Sequence, residues 1–372
     1  MPELGLTQMQ VGWLLTAFLF TYAVFQVPGA LVGQRVGGRR ILALIGLATA
    51  LASLGTAFGT VFVVLLAARA LLGVAQGGLF PVGAGMIRAW FPVGRWASAQ
   101  ALVVTGLWSG AAATPALVAW LMQTYGWRWA LVITSVPSLL LVVLWYLYAR
   151  NRPDEHPRVA DAELRELAVN PAPHATRPTQ DIGGSFRRVV ADPQIRLLTA
   201  SYFVMNYVFY LVTFWSFLYL VQSRGMSVLQ SGLLAVLPFV AAGIAAGMGG
   251  WLADRFGMRI VPLLALPLAA LFLYLTVTAG SPYSAVAALC LGFGCIELTE
   301  GSYWGATMRR APDDTMAATA LLNTGGNLGG VVATPIIAAV SASYSWTAVF
   351  ATGAVCALVA AGLWLTINPS RP

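Results

Sequence analysis

Apolar residues in this chain run on for about twenty positions at a time, broken by short polar stretches rich in Arg, Gly and Pro. Coiled as an α-helix, a run of that length spans the roughly 30 Å hydrocarbon core of a bilayer. The pattern predicts eleven such helices, over residues 11–32, 41–59, 62–84, 97–121, 128–149, 197–221, 229–250, 260–279, 284–305, 317–341 and 346–367. A transmembrane β-barrel would instead show weak alternation in segments of about ten residues. The expected fold class is an all-α polytopic membrane protein.

Composition agrees. Hydrophobic residues make up 59% of the 372 and charged residues 9%, where soluble chains carry about 25% charged; the mean hydropathy is +0.77. All 21 basic residues are Arg, and eighteen fall on one side of the predicted spans: Arg35, Arg39, Arg40, Arg88, Arg95, eight from Arg150 to Arg196, Arg255, Arg259, Arg309, Arg310 and Arg371. Arg128 and Arg224 lie on the other side, and Arg69 lies within a helix. Basic loops stay in the cytosol, so the linker and C-terminus are expected there, with the N-terminus outside if the chain is complete as given. The net charge of +8 therefore reflects topology and does not point to a nucleic-acid partner.

Cys290, Cys295 and Cys356 fall in apolar helices and read as small hydrophobes. The sequence shows no metal-ligand spacing and no nucleophile–base arrangement. It also has no G-x-x-x-x-G-K-[ST] loop, and no Lys to complete one. Neither an enzyme nor an ATP-driven pump is expected, and no cofactor. The first ten residues lack a basic n-region, so no cleavable signal peptide is expected.

The chain repeats itself. GLTQMQVG at 5–12 answers GMSVLQSG at 225–232, and GALVGQRVGGR at 29–39 answers GGWLADRFGMR at 249–259, both at an offset of 220. ALVVTGLWSGAAATP from Ala101 answers ALLNTGGNLGGVVATP from Ala320. The expected organisation is a half-bundle of five helices over 1–149, a polar linker over 150–196 and a half-bundle of six over 197–372. The helix at 197–221 precedes the second copy of the first motif, and its counterpart would lie before residue 2. Three explanations stand: a gene start set too late, a lost first helix, or a genuine eleven-helix protein. In the linker, DAELREL (161–167) suggests a surface helix and FRRVVADPQIRLL (186–198) a headgroup-level segment. The linker's His156 and His174 are poor candidates for pH sensors of transport.

GGWLADRFGMR resembles the loop motif G-x-L-x-D-R-x-G-x-R of the major facilitator superfamily, and the repeat resembles that superfamily's two six-helix halves. Within it the chain is most similar to the anion:cation symporter family. The stretches that carry this include TYAVFQVPG (21–29), RALLGVAQGGLFP (69–81), RAWFPVGRWASAQAL (88–102), YGWRWALV (125–132), RNRPDEHP (150–157) and LLNTGGNLGG (321–330). The resemblance implies a monomeric secondary transporter in a bacterial-type cytoplasmic membrane, moving a small organic anion by alternating access with a proton as coupling ion. It makes Asp254, Arg255, Gly257 and Arg259 a gating loop. Arg35, Gly37 and Arg39 form its degenerate first copy, with Gln34 where the Asp is expected. A drug-type efflux transporter and a truncated, non-transporting membrane protein are the alternatives; an integral-membrane enzyme has no supporting motif.

Charges within hydrocarbon are costly and mark functional candidates. Arg69 is either an anion-binding group, as the resemblance implies, or a structural Arg tied to carbonyls or a buried partner. Gln76, seven residues on, shares its helical face. The resembling family places a proton-carrying Glu there, and Gln cannot titrate. It is left as a substrate hydrogen-bonder or a packing contact. Glu297 and Glu300 in CIELTEGSYWG share a face and are candidates for the vacated proton role. Otherwise one pairs with a positive group or lies near the headgroups. The resemblance also implies that Tyr22 and Asn323 face substrate. Gln26 and Asn206 are further cavity candidates, helix packing being the alternative. Tyr207 and Trp215 carry a weaker signal, and Asn327 reads as an interhelical hydrogen-bonder.

Overall fold

The computed structural model describes residues 8–169 and 182–369. Fifteen α-helices run in order: α1 Gln8–Val36, α2 Gly38–Phe58, α3 Phe62–Gly77, α4 Leu79–Trp90, α5 Trp96–Tyr148, α6 Asp161–Val169, α7 Ile182–Ala191, α8 Pro193–Gln222, α9 Val228–Leu234, α10 Leu237–Phe256, α11 Ile260–Thr278, α12 Pro282–Glu297, α13 Glu300–Arg310, α14 Thr315–Ser343 and α15 Trp346–Trp364. Among the described residues, ten helical stretches are long and apolar enough to cross a membrane. The remaining expected span, 97–121, is helical as the first part of α5. That helix turns at Gly126, where φ is +82°, close to the gap expected between 121 and 128.

Three expected single spans are each two helices. α3 gives way to α4 at Gly78, α9 to α10 just before Leu237–Pro238, and α12 to α13 at Leu298–Thr299. The first and third breaks lie about 220 residues apart, so the repeat carries a helix break as well as motifs. One reading needs correction: Arg88, expected in a basic loop, lies in α4 and is only 2% exposed.

The chain forms two compact units. The first comprises Met1–Pro92, Thr114–Val189 and Pro312–Thr324. In it α1 crosses α3 so closely that a Cβ on Gly73 would stand 2.1 Å from Thr21 Oγ1 and 2.3 Å from the Phe18 carbonyl. Small residues allow that approach in a membrane, where packing rather than hydrophobic exclusion joins helices. Ala30, Ile41, Ile45, Val82, Met316 and Ala320 form a buried cluster in this unit. Helix α6 forms where DAELREL suggested it. In α7 the Ser185 and Val189 side chains are buried, so that segment docks on protein through this face instead of only lying at the headgroups. His174 lies outside the described residues.

The second unit comprises Val93–Ala113, Val190–Ala311 and Gly325–Pro372. Here the start of α5 runs antiparallel to α10. Ser98 N–H donates to Asp254 Oδ2 at 2.8 Å, and Thr105 Oγ1 donates to the Gly243 carbonyl at 3.0 Å. Asp192 caps α8 by accepting from the Gln194 and Ile195 amides, and Leu198, Leu211, Phe293, Phe350 and Trp364 are fully buried.

Candidate functional site

In the first unit, two polar side chains of α1 meet the start of α14. Asn323 Nδ2 donates to Tyr22 Oη at 3.4 Å, and Thr324 Oγ1 donates to Gln26 Oε1 at 3.0 Å. Gln26 is wholly buried, and its Nε2 has no hydrogen-bond acceptor. Arg69 lies elsewhere, half-buried in a cavity of about 150 Å³ among α1, α2, α3 and α5. Its lining includes Leu14, Leu65, Val118 and Met122, with Thr56 and Thr134 as polar neighbours. Among the described residues, no carboxylate lines the cavity and none is hydrogen-bonded or ion-paired to Arg69. Its guanidinium is thus a cation with two parallel donor edges and no counterion among the described residues. Gln76 is half-buried at the end of α3, and its carbonyl accepts the Gly78 N–H.

In the second unit, the two acids flank the α12–α13 break. Glu297 is 0% and Glu300 5% exposed. Trp108 Nε1 donates to Glu297 Oε2 at 2.8 Å. Tyr202 Oη lies 3.1 Å from both oxygens of Glu300, and Trp304 Nε1 donates to its Oε2 at 2.9 Å. Every partner is neutral. The second oxygen of Glu297 has none. Among the described residues, no positive group pairs with either acid. Two indoles and a phenol instead offer neutral N–H and O–H donors to the carboxylates. Asn206, also buried, donates to the Tyr202 carbonyl four residues back, and Tyr210 Oη donates to Asn327 Oδ1 between helices. Tyr207 Oη bonds Thr352 Oγ1 at 2.9 Å, and Trp215 packs its ring near Trp346.

The loop motifs show the repeat in geometry. Gly37 and Gly257 hold φ of +98° and +103°, left-handed values that disfavour any side chain. Two residues further on in each copy, Arg39 donates to the Tyr146 carbonyl and Arg259 to the Trp364 and Leu365 carbonyls, pinning each loop to a helix end. Arg35 and Arg255 are exposed and make no such bond to a described residue. Asp254 accepts from Ser98 N–H in the first turn of α5, where a carboxylate is favoured by the helix dipole, and lies 4.0 Å from Arg309. In the first copy, Gln34 bonds Ser185 and the Asp313 carbonyl. Arg88 there meets the Asp313 carboxylate, at 3.5 Å. Asp313 thus supplies the charge that Gln34 lacks. Beside it, Arg188 forks onto both oxygens of Asp314 at 2.9 Å. Burial pushes the Asp314 carboxyl up, but hydrogen bonds from Arg188, Ser185 and Gln34 and the Arg188 charge outweigh it, holding the group below the usual carboxylate range.

A family model described as Major Facilitator Superfamily matches residues 1–320. The chain belongs to the major facilitator superfamily. It is therefore a multi-pass membrane protein of a transporter family and not an enzyme. It is 28% identical over 345 residues to a "Probable sulfoacetate transporter SauU" of Cupriavidus necator, covering 90% of this chain and 79% of that one. It is 24% identical to a D-galactonate transporter of Escherichia coli, over 92% and 83%. Among solved structures, the Escherichia coli fucose:proton symporter FucP superposes with a TM-score of 0.78 at 15% identity, over all of this chain and 93% of that one, which shows the shared fold.

Sequence reasoning missed the neutral donors around the acids. Trp108, Tyr202 and Trp304 carry no spacing signal of their own. One signal was present: the 220-residue offset shared by the loop motifs and the helix breaks carries Gln76 to Ile296, the residue next to Glu297.

Proposed function

We propose that this superfamily member is a secondary active transporter of a small organic acid anion, coupled to protons by alternating access of its two sequence halves in a cytoplasmic membrane. The observation that carries the proposal is the Glu297–Glu300 pair, buried, three residues apart and surrounded by neutral donors. A buried carboxyl with no cation beside it exchanges its charge for a proton more readily than it holds the charge alone. The proton that the resembling family assigns to the position of Gln76 is here carried by the second half, chiefly by Glu297 beside the helix break. A sodium ion fits less well, because the indole N–H groups aimed at both acids are donors, whereas a hard cation requires oxygen ligands.

Arg69 holds the anion. Its guanidinium, unpaired among the described residues, matches a carboxylate or sulfonate in two-point fashion. Tyr22, Gln26, Asn323, Asn206 and Gln76 are the proposed hydroxyl-binding groups, and the two loop copies set the closure of the Arg-rich, cytoplasmic end. The names of the relatives support this reading, since they include transporters of sulfoacetate, D-galactonate and galactarate/D-glucarate.

The test is uptake by the full chain in proteoliposomes of radiolabelled sulfoacetate, D-galactonate, D-glucarate and a hexuronate, with an uncharged hexose as control. The expected result is saturable uptake of at least one acid, abolished by a protonophore. Uptake of none, or of the hexose equally well, contradicts the assignment.

A further inference from the structure

Between the buried acids and the Arg-rich end of the second unit lies a series of polar atoms that the protein leaves unsatisfied. Glu297 Oε1, Ser302 Oγ, both amide atoms of Gln100, Asp254 Oδ1 and Arg309 Nε are all buried without a hydrogen-bond partner. Gln100 is 1% and Ser302 0% exposed. Buried polar side chains are almost always bonded, to protein or to ordered water. A complete carboxamide with neither donor nor acceptor used is a costly exception.

The residues that carry these atoms come in order along one helix contact. The start of α5 and α13 run antiparallel. Trp108 meets Glu297 at the inner end, and Arg309 donates to the Val93 carbonyl at the outer end. Between them a Cβ on Gly301 would stand 3.0 Å from the Ala97 carbonyl and 2.7 Å from Gly250 Cα. Gln100 falls on the same α5 face as Ala97, Val104 and Trp108, all buried. It is two turns, about 12 Å, from Trp108. It is two residues from Ser98, whose amide holds Asp254. The order along the contact is thus Glu297, Ser302 with Gln100, then Asp254 with Arg309.

We propose that Gln100 and Ser302 order a file of water molecules joining Glu297 to Asp254, and that this file is the route by which the transported proton leaves for the cytosol. The inference rests on the proton role given above to Glu297. At each step one O–H bond breaks as its neighbour forms. Glu297 Oε1 gives its proton to the first water, the last water releases one to bulk beside Asp254, and the carboxylate left behind keeps the Trp108 N–H. Gln100 and Ser302 accept and donate to the waters without changing protonation state, so they are positioning residues. The titratable groups facing the inner end are Glu300 on α13, Tyr202 on α8 and Tyr303 on α13; Asp254 and Arg309 stand at the outer end.

The experiment is infrared spectroscopy of the full chain in phosphatidylethanolamine–phosphatidylglycerol liposomes, without substrate. The carboxylic C=O band that disappears in Glu297→Gln is assigned to Glu297, and its downshift is timed after a switch to D2O. Gln100→Leu and, independently, Ser302→Ala are expected to slow that exchange by about tenfold or more. Gln100→Asn, which keeps the amide, is expected to restore most of the rate. A merely structural role for Gln100 would lower the melting temperature without changing the exchange rate. Exchange at the wild-type rate in both Gln100→Leu and Ser302→Ala overturns the water file and leaves the proton role of Glu297 standing. If no band at any pH is lost in Glu297→Gln, the proton role fails, and the file with it.

Discussion

Replacing Arg69 by Met separates an anion-binding group from a structural one, because the two make opposite demands on stability. A structural buried Arg has a partner, and deleting it strands that partner at a cost of about 3–5 kcal/mol. Arg69 has no described partner, and its cavity of about 150 Å³ is lined largely by apolar side chains. Met fills the same volume with a flexible apolar chain. Arg69→Met is therefore expected to leave the melting temperature in detergent unchanged or raise it. Ligand recognition changes in the other direction. Removing one member of a hydrogen-bonded charge pair at an interface costs about 2–5 kcal/mol. Arg69 is half-buried, so solvent screening favours the lower figure. About 2 kcal/mol corresponds to a roughly thirtyfold rise in the half-saturation concentration. The assay is substrate counterflow in proteoliposomes, which needs binding and exchange but no net driving force. A variant that melts well below the wild type yet exchanges the acid with unchanged affinity would refute the assignment.

Two further expectations concern the frame. Gly301→Val drives a side chain into Gly250 Cα and the Ala97 carbonyl and is expected to cost at least the 1–3 kcal/mol or so of an overpacked core; Gly110→Ala, with nothing within 4 Å of the new Cβ, is expected to melt at or above the wild-type temperature. The Asp314 carboxyl is held low, so its bond to Arg188 stabilises the α7 docking above the ordinary carboxylate pKa of about 3.9 and is lost as pH falls through the lower folded value. Hydrogen exchange along α7 should rise over that acidic window, and Arg188→Gln should move the onset to higher pH. An onset unmoved by Arg188→Gln would contradict the role given to this ion pair.

Much of the fold was legible because a bilayer leaves few choices. Runs of about twenty apolar residues and a 220-residue repeat point to the helices and the fold family before any contact is known, and the Arg-biased loops give an expected sidedness. The helix breaks were not legible. Leu298 and Thr299 are apolar and β-branched residues that sit comfortably in a continuous helix, and only the tertiary packing shows the interruption there. Arg88 misled for the opposite reason. An Arg near a helix end reads as a basic loop residue, and its burial depends on Asp313, more than two hundred residues away. At the site, Glu297 and Glu300 stood out as charges in an apolar run. Their partners did not, because Trp and Tyr are ordinary in such helices. Trp108 reaches Glu297 from the other half of the sequence, a pairing that no local pattern encodes.

The proton role of the two acids is tested most directly by net accumulation driven by an imposed pH gradient in proteoliposomes, measured for the wild type and for the double variant Glu297→Gln, Glu300→Gln. The wild type is expected to concentrate the acid from an acidic exterior, while the double variant exchanges it across the membrane but no longer accumulates it. Accumulation by the double variant with an unchanged dependence on pH would contradict the central claim.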